Sequence, residues 1–183
     1  MFRRVCIVGL DGVNDYVATK LMGIHYKVKY TLISTIPPYT PPAWTSILTG
    51  VNPGWHGVYG FLGYKNGSVS LNSSWDVMYP RLFEMLAMHG LKSVVVNVPL
   101  SCPFNALTLR DNYIVVSDWA CPRQAIWPPR LYLKFREYLV EPPHNWYDYS
   151  DIREYISKIH EYSTTRMNLY LELLEKSDWS LYF

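Results

Sequence analysis

Two residue types at one spacing carry most of the chemistry this chain could do. Asp11 ends the first apolar run in Leu10-Asp11-Gly12, and Thr40 follows 29 residues later within STIPPYTPPAWTSILTGVNPGWHG at 34–57. A carboxylate just past a strand is a hard oxygen ligand suited to a divalent cation; it is equally the acid of an ordinary Asp-Gly turn. A threonine ahead of a Pro-initiated helix caps a free amide. The same place, with helix-end amides and the positive end of the dipole, suits a phosphate. A threonine hydroxyl is a weak nucleophile at neutral pH and needs a base or a metal to activate it. Asp11 and Thr40 could share one cation, which points to a metal-activated threonine acting on phosphate, with simple capping as the alternative. His56, after the turn Asn52-Pro53-Gly54-Trp55, could contact a substrate or metal, or could be a satisfied imidazole in a His-Gly turn. His25, His89, His144 and His160 do not cluster, and Asp76, Asp111 and Asp118 read as solvated loop carboxylates without identifiable partners.

The elements that must hold these residues follow from pattern. Residues 4–10 are a short β-branched run, a strand buried on both faces. A helix is expected over 14–22, ending near Gly23, and an alternating strand over 27–34. The next helix runs from Pro41 to Thr49, with its prolines in the first turn, where amides need no intrahelical partner. Residues 51–79 lack periodicity and read as a loop-rich insertion. Helical spacing returns over 80–89, closed by Gly90, and strands follow at 91–98 and 113–117. The segments 99–112 and 118–129 read as irregular. Helices are expected over 129–139 and 151–175, the latter with an apolar stripe (Ile152, Ile156, Ile159, Tyr162, Leu169, Leu173, Leu174) lying on the sheet. The alternation gives one α/β domain over 1–183 with a largely parallel sheet flanked by helices.

Composition bounds the function. The chain has 183 residues, 49% hydrophobic and 17% charged, so it fills a core and is not disordered. With a net charge of +2 and no Lys/Arg run it has no nucleic-acid footprint. The apolar stretch before Asp11 is too short for a secretory leader, and no stretch reaches membrane-span length, which reads as a soluble cytoplasmic chain. Three scattered cysteines then read as reduced thiols, Cys6 buried in the first strand and Cys102 and Cys121 in loops, with a 102–121 pair as the alternative. No CxxC or HxxxH spacing marks a structural zinc site.

The order of the pieces adds to this. VGLDG at 8–12, STIPPYTPPAWTSILTGVNPGWHGVYGF at 34–61, VVVNVPLSCPF at 94–104 and SDWSLYF at 177–183 resemble, in that order, the type I phosphodiesterase/nucleotide pyrophosphatase family of the alkaline phosphatase superfamily. The 34–61 block is the most specific of them. The resemblance implies an alkaline-phosphatase-like core and a phosphodiester or nucleotide-like small molecule as substrate. It also implies two divalent metal ions, zinc or manganese, stabilising the entering and leaving oxygens. By position it makes Asp11 a metal ligand and Thr40 both a metal ligand and the nucleophile that forms a phosphothreonine intermediate.

Two departures matter. Well-studied relatives carry an asparagine after the His-Gly turn, whereas this chain has Val58-Tyr59-Gly60-Phe61, so substrate preference does not transfer. The family also continues past the strand matching WSLYF into an Asp-x-x-x-His motif that is absent here. The expectation is an N-terminal portion of the domain, inactive and weak in metal binding by itself. It would expose an apolar strand edge near Phe183 that favours self-association or a complementing chain. The alternative is a non-catalytic half-domain that binds a phosphate ligand or a partner. A sulfatase branch is disfavoured, because Thr40-Pro41-Pro42-Ala43-Trp44 lacks the Cys/Ser-x-Pro-x-Arg pattern.

Overall fold

The structure is a computed structural model that describes residues 4–104, 112–143 and 145–183. Asp111 and His144 lie outside the described residues. In chain order the strands are β1 (Val5–Cys6), β2 (Leu62–Lys65), β3 (Ser68–Leu71), β4 (Ser93–Val96), β5 (Tyr113–Val116), β6 (Ile126–Trp127) and β7 (Leu181–Tyr182). The α-helices are α1 (Thr40–Thr49), α2 (Pro53–His56), α3 (Leu82–Met88), α4 (Tyr132–Phe135) and α5 (Ile152–Lys176). The expected helix over 14–22 forms as a π-helical turn at Val17–Leu21.

Five strands make one sheet in the order β1-β7-β4-β5-β6, parallel throughout except for β6, which runs antiparallel to β5. The period-2 alternation of β4 and β5 explains why both faces are covered. Val95, Val115 and Leu181 face a core with Leu48 of α1 and with Phe83 and Ala87 of α3. Val94, Val116 and Tyr182 face the opposite core, with Phe135 of α4 and with Leu169 and Leu173 of α5. This is the α/β architecture expected from the alternation, and the insertion at 51–79 is a short helix followed by the β2–β3 hairpin.

Several expectations are corrected. Residues 27–34 form no strand; Tyr30, Leu32 and Ile33 are 83, 86 and 101% exposed, because the alternation finds no strand to pair with. β6 lies inside the stretch read as irregular; its two residues are too few to show a period. Residues 129–138 are broken into two 3-10 turns flanking α4 rather than one helix. The stripe of α5 covers the sheet only in its second half. At 1.5 Å per residue its 25 residues span about 38 Å, against about 13 Å for a four-residue strand. Ile152, Ile156 and Ile159 therefore overshoot the sheet and are exposed.

The strand near Phe183 is not an edge. β7 pairs with β1 on one side and β4 on the other, and Phe183 is buried, its N–H donating to Val94 O at 2.8 Å. The sheet edges are β1 and β6. The thiol readings also fail: Cys102 and Cys121 form a disulfide, with Cα atoms 5.6 Å apart, within bridging range. Cys6 is a free thiol but exposed, because β1 is an edge strand. No described helix is long and apolar enough to cross a membrane.

Candidate functional site

β1 is held by Val5 N–H donating to Ser180 O (2.9 Å) and Ile7 N–H to Tyr182 O (2.8 Å). The chain leaves the carboxyl end of the sheet through Gly9 and turns at Asp11-Gly12, with Gly12 at φ 71°. Parallel strands open their ligand-binding crevice at this end. A cleft of about 460 Å³ borders Asp11 there, walled by apolar groups that include Val8, Leu10, Trp44, Met167 and Leu171.

Thr40 comes to Asp11 from the other side. α1 begins at Thr40 and is stopped by Gly50 at φ 73°, a left-handed conformation that glycine adopts without strain. Thr40 is the first helical residue, not the cap. The cap position belongs to Tyr39, whose extended backbone makes no side-chain cap bond. The capping alternative for Thr40 is thereby corrected. Its hydroxyl donates instead to Asp11 Oδ2 at 3.1 Å, joining the two residues singled out by type and spacing. Thr40 is half-buried and Asp11 exposed, so the pair is open to a ligand.

The phosphate cradle expected at this helix end is sparse. Pro41 and Pro42 have no N–H to offer, and Ala43 N–H bonds Tyr39 O at 3.1 Å. Thr40 N–H is the one amide left to the first turn. The dipole remains, but its amide donors are reduced to the nucleophile candidate's own.

His56 is elsewhere. It is fully buried, its Nε2 lies 2.9 Å from Ser46 Oγ on α1, and Val58 N–H donates to its Nδ1 at 3.2 Å. An Nδ1 that accepts carries no proton, so this is a neutral imidazole. Burial holds its pKa below the ordinary histidine value, against an opposing pull from the Pro42 carbonyl. The geometry is that of a brace between α1 and the turn after α2. It makes no bond to Asp11 or Thr40 among its described contacts, and both ring nitrogens lie within hydrogen-bond range of protein groups.

The loop carboxylates are not free. Asp118 is buried and accepts from Ala120 N–H (2.8 Å), Ser101 N–H (3.2 Å) and the Ser101 hydroxyl (3.3 Å). Burial nevertheless pushes its carboxyl above the usual range. Asp76 accepts from Lys65 at 2.5 Å and from Ser73 N–H at 2.7 Å, and those donors hold it below that range despite the opposing effect of burial. His25, His89 and His160 are exposed.

Sequence reasoning missed Gly9, Trp44 and an aromatic series at the front of α1. Tyr39 packs on Phe61 (centroids 6.4 Å apart) and Phe61 on Trp119 (6.1 Å). A Cβ at Gly60 would overlap the Tyr39 hydroxyl, so the stretch lacking the expected asparagine is where Tyr39 comes closest to the backbone. A tryptophan four residues after Thr40, and a glycine two before Asp11, were the available signals.

The residues fall short of a two-metal centre. Asp11 and Thr40 are two oxygen donors, whereas zinc takes about four ligands. Among the described residues no group of three or more His, Cys, Asp or Glu gathers that could hold a metal ion. The described residues alone do not fit the pair of metals that the resemblance implies.

The family model of type I phosphodiesterase / nucleotide pyrophosphatase matches residues 5–180. The chain belongs to this type I phosphodiesterase/nucleotide pyrophosphatase family. No curated protein matches it, and no solved structure does. Its mostly parallel five-stranded sheet with helices on both faces is consistent with an alkaline-phosphatase-like α/β fold. The phosphodiesterase family is one of hydrolases and is generally metal-dependent.

Proposed function

We propose that Thr40 is the nucleophile of a phosphodiester or nucleotide-pyrophosphate hydrolase and that Asp11 orients it. The observation that carries this reading is the 3.1 Å bond from the Thr40 hydroxyl to Asp11 Oδ2, made at the carboxyl end of a parallel sheet. A hydroxyl whose hydrogen is directed at a carboxylate leaves its lone pairs free to meet phosphorus. The Thr40 Oγ1–P bond forms as the ester P–O bond opposite breaks. The Thr40 proton passes to Asp11, and the departing oxygen takes a proton from water. The hydroxide left by that water attacks phosphorus, the Thr40 Oγ1–P bond breaks, and Asp11 returns its proton to the Thr40 oxygen. Thr40 N–H is the backbone donor nearest the phosphoryl oxygens.

The activity is proposed to depend on zinc or manganese. Since Asp11 and Thr40 supply too few donors, the remaining ligands belong to residues other than those described, and these residues turn over substrate poorly without them. The substrate is a small phosphodiester or nucleotide-like molecule. The test is hydrolysis of bis-(p-nitrophenyl) phosphate with added zinc or manganese. Thr40→Ala is expected to lower turnover by at least ~10³-fold and to abolish a phosphoryl adduct on the peptide holding residue 40. Undiminished turnover in Thr40→Ala would falsify the nucleophile assignment. The sparse donor set also favours a second reading, a phosphate-binding half-domain. Calorimetric binding of inorganic phosphate, lost in Thr40→Ala and unaccompanied by turnover, would select it.

A further inference from the structure

We infer that Trp44 is a positioning residue whose indole, seated on the bare Cα of Gly9, sets the Asp11–Thr40 distance. The inference rests on Thr40 as nucleophile. Trp44 is four residues after Thr40, so both lie on one face of α1, a turn apart. Gly9 is two residues before Asp11, just past the last β1 amide fixed to the sheet, that of Ile7. A contact between Trp44 and Gly9 therefore joins the two segments that carry the reacting pair.

The contact has no slack. A Cβ at Gly9 would overlap Cη2 of Trp44 and stand 2.7 Å from Cζ3. The indole also meets Phe183 edge-to-face, with centroids 6.3 Å apart and planes at 88°, and it packs against the core that holds Leu48 and Val95. Its contacts with Phe183 and that core oppose a retreat, while the rest of the half-buried ring lines the cleft beside Asp11. Gly9 has no positive φ, so its requirement is for space and not for backbone freedom.

The magnitude decides the consequence. Moving Cζ3 from 2.7 Å to the 3.4 Å of ordinary van der Waals contact needs about 0.7 Å. The Thr40–Asp11 bond at 3.1 Å tolerates only about 0.4 Å before its geometry is lost. α1 is held along its length, by buried Pro41 and Pro42 in its first turn, by Ser46 against His56 and by Leu48 in the core, so the exposed Gly9–Asp11 segment, beyond the last sheet bond at Ile7, is what yields and carries Asp11 away from Thr40. A single methyl group on Gly9 is thus enough to separate the pair.

The experiment compares crystal structures and kinetics of the full chain as wild type, Gly9→Ala, Trp44→Leu and Gly9→Ala/Trp44→Leu. In Gly9→Ala the Thr40–Asp11 separation is expected to exceed 3.5 Å. Where the wild type turns over bis-(p-nitrophenyl) phosphate, kcat falls about 100-fold with KM within about twofold. The double variant gives the methyl group room and recovers the bond and at least tenfold of the lost kcat, which a merely destabilising substitution would not do. Should Gly9→Ala fail to fold, Trp44→Leu decides: it removes the spacer and is expected to lose the Thr40–Asp11 bond. A bond kept within 3.5 Å in whichever of the two folds overturns the inference, with or without turnover. Full turnover by Thr40→Ala would instead remove the nucleophile reading while leaving the measured distances to stand.

Discussion

Removing the imidazole of His56 separates a brace from a substrate contact. In His56→Ala the Val58 N–H, on a residue with no exposed surface, loses its acceptor, a cost of about 1–3 kcal/mol. The Ser46 bond is worth about 1 kcal/mol more. A residual cavity of roughly 60 Å³ adds about 1.5 kcal/mol at ~24 cal/mol per Å³. The total is about 4 kcal/mol, which for a chain of this size lowers Tm by roughly 8–16 °C. Calorimetry and urea unfolding read both quantities. The pH dependence is a second signature. The folded imidazole has its pKa depressed below 6.5, so below that pH the unfolded chain takes up a proton that the folded chain resists. The stability His56 contributes is whole above about pH 6.5 and is lost as pH falls through the folded value. The difference between wild type and His56→Ala should shrink over that window. A loss under about 1 kcal/mol, with KM for the phosphodiester raised, would refute the brace and make His56 a ligand contact.

Two further substitutions test the loops at the carboxyl end of the sheet. The pKa of Asp118 is raised by burial, so its stabilisation is full below about pH 3.8 and is lost as pH rises through the folded value. Urea midpoints of wild type relative to Asp118→Asn should therefore improve as pH falls from neutral towards 3.8, and the opposite slope would contradict the assignment. The Cys102–Cys121 bridge closes a loop with a separation of 19 residues, worth about 3 kcal/mol. Dithiothreitol should lower the wild-type Tm by roughly 6–12 °C and leave Cys102→Ser/Cys121→Ser unchanged; equal melting with and without the reductant would mean that the bridge is not formed.

What was legible in the sequence is what local pattern encodes. The β-branched runs of β4 and β5 read correctly because both faces are buried, and α5 because its apolar residues recur at helical spacing. Asp11 and Thr40 could be paired because each sits next to a strong local signal, an Asp-Gly turn and a double proline. The rest depended on partners distant in sequence. The alternation of 27–34 promised a strand, but a strand needs a neighbour to bond. The two-residue β6 exists only through β5. The role of His56 was set by Ser46 and Val58, and that of Gly9 by an indole from another element. The disulfide was argued from compartment, a property that says nothing about whether two loops meet.

The place of β7 between β1 and β4 has a consequence for how the chain comes to be made. Val5 leaves the ribosome long before its strand partner, Leu181, which follows β1 to β6 in chain order. Until then β1 lacks its partner among the described strands, and β4 keeps one side open while β5 and β6 already cover the other. Closing so long a loop costs about 4–5 kcal/mol of chain entropy before any contact repays it. The nascent chain should thus assemble β4, β5 and β6 first and leave β1 loose, with the Asp11 turn unformed, until β7 slots in. On this order of events the Asp11–Thr40 pair appears only after β7 has arrived, which makes its assembly sensitive to chaperones that hold β1.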